Sequence, residues 1–236
     1  MHENRPRRPI HAIFFDVSGT LIEPREDVGT TYSRFGARHG LRRSSQELSR
    51  LFQKALRDHP GTSFPELSAE ERIHAERSRW RLILEQGFSF PETKAQIPDF
   101  DVFFDEIFAF YASPRAWRLI PGALAGLQTA RQAGLHTGII SNFDHRLRPL
   151  LQEMKITEFI DIVVHPYSCG YTKPDPPIFH AALRAFDVDA SECVLVGNDP
   201  VRDLIPARSL GMHVLDVNQK GFSLAAETER LANLKN

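Results

Sequence analysis

The sequence has few cysteines and almost no net charge, and these two shortages exclude several classes of protein. Its 236 residues include two cysteines, Cys169 and Cys193, whose separation suits neither a disulfide framework nor a metal site. The formal net charge is −1, so no electrostatic excess drives binding to nucleic acid or to an anionic membrane. We therefore expect both cysteines to be small apolar side chains and polyanions to be absent from the partners.

Long apolar runs are missing as well. Residues 1–9 are basic and polar, and the apolar stretch that follows is interrupted by Asp16, which leaves neither a signal-peptide core nor a membrane-spanning helix. Repeats and low-complexity tracts are absent, whereas the 42% of hydrophobic residues can supply an ordinary core. We therefore expect a cytoplasmic globular protein that does not enter a membrane.

One short stretch, residues 13–21, combines an apolar strand with a polar turn. The strand ends at Asp16 and is followed by a Ser-Gly-Thr turn. Ligands of open α/β sheets bind at this end of the strands. Gly19 lets the backbone approach an anion closely, and the Thr20 hydroxyl can bond to the anion or to the turn. Taken alone, the pattern is also that of a strand ending in an Asx-turn.

A long helical segment follows this strand. The apolar spacing predicts four helices and no convincing strand between about Pro24 and Pro114. The last of these helices, from Phe100 to Tyr111, is rich in phenylalanine. Its apolar face is a candidate for substrate contact, but a spacing of three and four favours core packing.

Strands and helices alternate in the rest of the chain. Buried strands are predicted at 135–140, 160–164, 193–196 and 213–217, with a helix between each pair. This alternation predicts an α/β fold, a parallel sheet with helices on both faces.

Polar side chains recur where the predicted strands end, and a lysine precedes one of the helices. They are Asp16, Ser141, Asn142, Lys173, Asn198, Asp199 and Asp203. Because the carboxyl ends of parallel strands meet at one edge of a sheet, we expect these groups to share a crevice. A carboxylate nucleophile, a lysine and a hydroxyl for phosphate oxygens, and carboxylates for Mg²⁺ together suit phosphoryl transfer.

The order of these motifs resembles that of the haloacid dehalogenase (HAD) superfamily. The stretch 141–147 looks most like the branch of haloacid dehalogenase-like hydrolase domain-containing proteins and the related REG-type proteins. The resemblance implies a Rossmann-like parallel sheet of strand order 3-2-1-4-5, with a helical cap inserted after the first strand. Residues 1–23 and 115–236 would form the core, and residues 24–114 would form the cap.

The resemblance also implies roles for individual residues. Asp16 would be the nucleophile and a metal ligand, and Ser18 would give its backbone carbonyl to Mg²⁺. Ser141, helped by Asn142, would bind the transferring phosphoryl group, while Lys173 would neutralise Asp16 and the phosphate.

Residues close to the first motif are the remaining candidates for substrate binding. Gly19, Thr20 and Arg25 are predicted to take part, and Glu23 and Tyr32 lie near enough to be considered. The substrate itself and the oligomeric state are not indicated by the sequence.

Two positions depart from the phosphatase pattern. Phosphatases of the superfamily carry a second Asp two residues after the nucleophile as general acid and base, and Ser18 stands there instead. Asn198 stands where a metal-binding Asp is expected, although it still offers a neutral oxygen. Asp199 either rotates in as a ligand or caps the next helix, and Asp203 completes the predicted metal set by orienting bound water.

Three functions remain open. The favoured one is Mg²⁺-dependent hydrolysis of a small phosphate ester through an aspartyl-phosphate at Asp16, because nucleophile, hydroxyl and lysine are all present. The second is a binding or regulatory protein with weak or no catalysis, which Ser18 and Asn198 favour. The third is a metal-independent 2-haloacid dehalogenase, in which Asp16 attacks carbon rather than phosphorus.

Overall fold

The computed structural model describes residues 9–88, 97 and 99–233. Its strands are β1 (Ala12–Phe15), β2 (Ile22–Pro24), β3 (Trp117–Leu119), β4 (His136–Ile140), β5 (Ile162–Val164), β6 (Cys193–Gly197) and β7 (His213–Asp216). Its α-helices are α1 (Val28–Arg38), α2 (Ser45–Asp58), α3 (Ala69–Gly87), α4 (Phe100–Tyr111), α5 (Ala123–Gln132), α6 (Leu147–Glu153), α7 (Pro166–Cys169), α8 (Pro176–Phe186), α9 (Ile205–Ser209) and α10 (Leu224–Asn233). Within this part of the chain, no helix combines the length and the apolar character needed to cross a membrane.

Five of the strands form one parallel sheet in the order β5-β4-β1-β6-β7. The central strand β1 is buried along its whole length, and Phe15 pairs with Ile139 on one side and Val196 on the other. The predicted α/β fold with strand order 3-2-1-4-5 is thereby confirmed. Since the chain passes to opposite sides of β1 in β4 and β6, the carboxyl end of β1 lies at the point where open sheets of this kind bind ligands.

The helices α1 to α4 pack mainly against one another. Their shared apolar cluster contains Tyr32, Phe35, Leu48, Phe52, Ile83, Leu84, Phe100, Phe103, Phe104 and Ile107, among others. The apolar face of α4 therefore packs in a core, as its spacing predicted, while Phe104, Ile107 and Phe108 of the same helix also line the cavity described below. The division of the chain into a core and a cap at residues 24 and 114 stays a prediction.

Two short strands that the sequence did not reveal lie where the chain leaves the sheet and returns to it. Strands β2 and β3 pair antiparallel, with Ile22 opposite Leu119. Three residues carry too little of an alternating pattern to be recognised as a strand from sequence. The exposed pair of Glu23 and Arg118, at 2.8 Å, lies across these two strands.

A buried ion pair connects the loop after β4 to helix α4. Asp144 accepts hydrogen bonds from Arg146 Nε at 2.8 Å and Nη2 at 2.6 Å. Arg146 Nη1 donates to the Phe108 carbonyl at 2.9 Å, and the guanidinium lies 3.6 Å from the centre of the Phe108 ring. Burial tends to raise the pKa of Asp144, but the hydrogen bonds and charge of Arg146 outweigh it and hold the pKa below its usual value.

We predict that Arg146→Met lowers the free energy of unfolding by about 3–5 kcal/mol, because it leaves the Asp144 carboxylate buried without its cation. The matched control is Arg118→Met, which breaks an exposed pair and should cost at most about 1 kcal/mol. Urea unfolding of the three proteins measures both values. Equal costs for the two variants would contradict the structural role given to Arg146.

Candidate active site

The turn after β1 holds the Asp16 carboxylate at the edge of the sheet. Gly19 has a φ of +88°, and a Cβ added there would lie 2.6 Å from the side-chain nitrogen of Asn198, so both its conformation and its surroundings require glycine. Its N–H donates to the Ile22 carbonyl at 2.8 Å. The buried Thr20 hydroxyl donates to Asp16 Oδ2 at 3.4 Å. Gly19 and Thr20 therefore shape the turn that positions Asp16.

Lys173 lies between two buried carboxylates. Its Nζ donates to Asp16 Oδ1 at 2.7 Å and to Asp203 Oδ1 at 2.5 Å. Burial and Asp203 raise the pKa of Asp16, while Lys173 opposes the rise. Burial works against the charge of Lys173, but Asp16 and Asp203 outweigh it and raise its pKa. The lysine is therefore held protonated beside Asp16.

Asn142 fixes the backbone of Lys173. Its Oδ1 accepts from the Lys173 N–H at 2.6 Å, and its Nδ2 donates to the Lys173 carbonyl at 2.8 Å. The amide that the sequence assigned to the phosphoryl group is thus bonded to the lysine in this structure. Ser141 is buried, its Oγ accepts from the Phe143 N–H at 3.2 Å, and it faces the same cavity as Asp16.

Asp16 Oδ2 and the Ser18 carbonyl oxygen converge on the side-chain amide of Asn198. With the amide nitrogen facing them, Asn198 donates to both oxygens at 3.2 Å. With its oxygen facing them, the three groups form a set of hard donors of the kind that Mg²⁺ takes. No three His, Cys, Asp or Glu side chains of the described residues are grouped as metal ligands. The donor set therefore fits a weakly held cation, with one carboxylate and two neutral oxygens.

Asp199 and Asp203, which the sequence assigned to the metal site, form hydrogen bonds with other parts of the protein. The Asp199 carboxylate accepts from the N–H groups of Val201 at 2.8 Å and Arg202 at 3.0 Å. It thus caps the π-helical turn Pro200–Leu204 that follows, which is one of the two roles that the sequence left open for it. Asp203 accepts from Lys173 and from the Asp199 N–H at 3.1 Å.

Two candidates near the first motif lie away from these groups. Arg25 is exposed, and its backbone N–H donates to the Ala116 carbonyl at 2.9 Å. Glu23 is engaged by Arg118 on the neighbouring strand. Neither lines the cavity at Asp16, so the structure does not bring Arg25 to the other candidates.

A cavity of about 430 Å³ opens between the sheet edge and helices α1 to α4. The loops and turns at the edge of the sheet contribute polar groups to it: Asp16, Ser18, Ser141, Asn142, Lys173, Asn198 and Asp203. The helices contribute mainly aromatic and aliphatic side chains: Tyr32, Phe52, Leu56, Trp80, Leu84, Phe104, Ile107, Phe108 and Tyr111. The cavity thus has a charged floor and a largely apolar roof.

Two charged side chains of the roof were missed by the sequence analysis. Glu76 and Arg79 of α3 both line the cavity. Glu76 is buried on the same helix as Ile83 and Leu84. The sequence did contain a signal for Glu76, because its carboxylate lies on the same face of the helix as buried apolar residues. A carboxylate is rarely buried unless it is paired or has a function.

Comparison with known proteins agrees with this geometry. Over residues 10–211 the chain matches the family model described as haloacid dehalogenase-like hydrolase. The chain belongs to the haloacid dehalogenase-like hydrolases. The superfamily resemblance noted from the motifs is thereby confirmed.

Individual relatives support the same assignment. The chain is 30% identical over 210 residues to haloacid dehalogenase-like hydrolase domain-containing protein 3 of Bos taurus, covering 88% of this chain and 81% of that protein. It is 30% identical over 220 residues to the Rhythmically expressed gene 2 protein of Drosophila melanogaster, covering 89% and 84%. A solved L-2-haloacid dehalogenase shares the fold, with a TM-score of 0.66 at 19% identity and coverage of 95% of this chain and 99% of that one.

We predict that Lys173→Met lowers the free energy of unfolding at pH 7 by about 3–5 kcal/mol, because it leaves Asp16 and Asp203 buried without a cation. Burial and Asp203 raise the pKa of Asp16, and without Lys173 to oppose them the Asp16 carboxyl takes up a proton at a higher pH than it does in the unfolded chain. The deficit should therefore shrink as the pH falls from 7 towards 5.

Urea unfolding at both pH values checks this prediction. Lys54→Met is the control, because the Lys54 side chain is 68% exposed and its loss should have little effect at either pH. A deficit for Lys173→Met that does not depend on pH would contradict the electrostatic explanation.

Proposed function

We propose that this protein is a phosphatase that hydrolyses a small phosphate monoester through an aspartyl-phosphate at Asp16. The observation that carries the proposal is the 2.7 Å contact between Lys173 and Asp16, at the floor of a cavity that Ser141 also lines. In such a site the carboxylate can attack phosphorus, and the fixed cation and the hydroxyl beside it can bind the phosphate oxygens.

Four residues of this chain have distinct roles in the proposed reaction. The Asp16 carboxylate attacks phosphorus, and the bond from phosphorus to the leaving oxygen breaks with its electron pair. Lys173 and the Ser141 hydroxyl offset the charge on the phosphoryl oxygens. Water then attacks phosphorus, releases inorganic phosphate and restores the Asp16 carboxylate. Asn142 supports both steps by holding Lys173 in place.

The proposal includes Mg²⁺ as the cofactor. Asp16, the Ser18 carbonyl and the Asn198 amide oxygen would hold it, and when bound it would offset the repulsion between Asp16 and the phosphate. The proposal also places the protein in the cytoplasm, with a phosphorylated small molecule as its partner and neither nucleic acid nor a membrane.

We predict that Asp16→Asn abolishes turnover and leaves the fold intact, because an amide keeps the shape of the side chain but cannot form the acyl-phosphate. A panel of aryl, alkyl and acyl phosphates, run with Mg²⁺ and with EDTA, measures this. Asp101→Asn serves as control, because the Asp101 side chain is 74% exposed. Hydrolysis by Asp16→Asn above background would contradict the covalent route.

We also predict that Mg²⁺ binds weakly, with a Kd on the order of 1 mM, and that Asn198→Asp tightens it at least about tenfold by adding a charged ligand. Calorimetry and the Mg²⁺-dependent shift in Tm measure this without turnover. The control is Asp199→Asn, which should leave the affinity unchanged because Asp199 caps a turn. The absence of heat with Mg²⁺ in all three proteins would remove the metal from the proposal.

Metal-independent dehalogenation is the second candidate, and one observation favours it. The Asn198 amide can satisfy Asp16 Oδ2 and the Ser18 carbonyl without a cation. Asp16 would then attack the carbon that bears the halogen and displace halide. Halide release from 2-haloacids in EDTA, with no phosphoester turnover, would select this function. Turnover of neither class would favour a binding or regulatory protein.

A further inference from the structure

The proposed phosphatase lacks a proton donor on the sheet side of its cavity. An alkoxide or a poor phenoxide leaving group needs a proton, and the hydroxyl of Ser18 has too high a pKa to supply one. The neighbouring carboxylates already have other roles, so none of them is a proton donor. Asp16 is the nucleophile, Asp203 accepts a hydrogen bond from Lys173, and Asp199 caps the turn that follows it. A donor must therefore come from another part of the cavity.

We propose that Glu76 of helix α3 is the general acid and base of this site, acting from the helical side of the cavity. This inference rests on the proposed phosphatase function. Glu76 is 5% exposed and lines the same cavity as Asp16. Buried carboxyls are rare unless they are paired or used.

Glu76 is not held by a strong partner. Its closest cation is Arg79, whose Nη1 lies 3.7 Å from Glu76 Oε2, beyond hydrogen-bond distance. Arg79 instead donates through Nε and Nη2 to the His59 carbonyl at 3.1 and 2.9 Å. Within the described part of the chain no hydrogen bond holds the Glu76 carboxyl, so it is available to a substrate oxygen.

The charges around Glu76 suit a proton donor. Burial raises its pKa, Arg79 on its own helix lowers it, and from the loop after β4 Asp144 raises it and Arg146 lowers it. The balance is a raised pKa, because burial, the largest influence, outweighs the charge of Arg79, and the charge of Arg146 is offset by Asp144. A carboxyl shifted in this direction stays protonated closer to neutral pH, as a general acid requires.

In each catalytic cycle Glu76 gives one proton to the leaving group and takes one proton from water. When Asp16 attacks phosphorus, the leaving oxygen takes the bond electron pair and the proton of the Glu76 carboxyl, which gives the alcohol and a Glu76 carboxylate. When water attacks the aspartyl-phosphate, its proton passes to that carboxylate. Inorganic phosphate leaves, and Asp16 and Glu76 return to their starting states.

The experiment measures kcat/KM for substituted phenyl phosphates from 4-nitrophenyl to 4-methoxyphenyl, over a range of pH. Glu76→Gln should lose about 10² for the poorest leaving group and far less for 4-nitrophenyl phosphate, whose phenolate leaves without a proton. The basic limb of the wild-type profile for poor leaving groups should disappear in this variant. Glu85→Gln, on the same helix and paired with Arg81 at 3.0 Å, is the control.

A second variant tests the same assignment without removing Glu76. Arg79→Met takes away the nearest cation, so the pKa of Glu76 should rise and the basic limb should move to higher pH. Equal loss by Glu76→Gln on every ester, or a pH profile that neither variant changes, would overturn the role of Glu76 alone. If the wild type hydrolysed no phosphate ester, both the proposed phosphatase function and the role of Glu76 would be contradicted.

Discussion

The site depends on one buried cation shared by two carboxylates. Lys173 carries a single positive charge between Asp16 and Asp203, and all three side chains are largely out of contact with solvent. Desolvating three charged groups is expensive, and an arrangement of this kind seldom adds stability over an apolar core. A role in the proposed chemistry therefore explains the arrangement better than stability does, since it places a carboxylate with a cation beside it at the floor of a cavity.

Several supports keep that arrangement in place. The Asn142 amide holds Lys173 through both backbone polar groups, so the long side chain starts from a fixed point. On the other side of Asp16, the close approach of Gly19 to Asn198 brings an amide against the second carboxylate oxygen. The two oxygens of Asp16 are thus contacted by an amide that follows strand β6 and by a lysine from the loop before helix α8, both at the ligand-binding edge of the parallel sheet.

The sequence predicted the sheet side of this site better than the helical side. Asp16 and Ser141 were predictable because strand ends of a parallel sheet meet at one edge, whatever the packing elsewhere, and Lys173 was predictable because it precedes a helix that follows one of those strands. A helical period, by contrast, shows which face is buried but not what it is buried against. Glu76 was missed for that reason. Arg25 was close in sequence to the motif, but its backbone belongs to the β2 and β3 region and its side chain is exposed.

The central claim is that Asp16 accepts the phosphoryl group. The most direct measurement is rapid acid quenching during turnover of an acyl or aryl phosphate, followed by mass spectrometry of the peptide that contains Asp16. The account predicts a phosphoryl group on Asp16 that forms and decays with turnover. Turnover with no phosphoryl group on Asp16, or with the group on another residue, would contradict it.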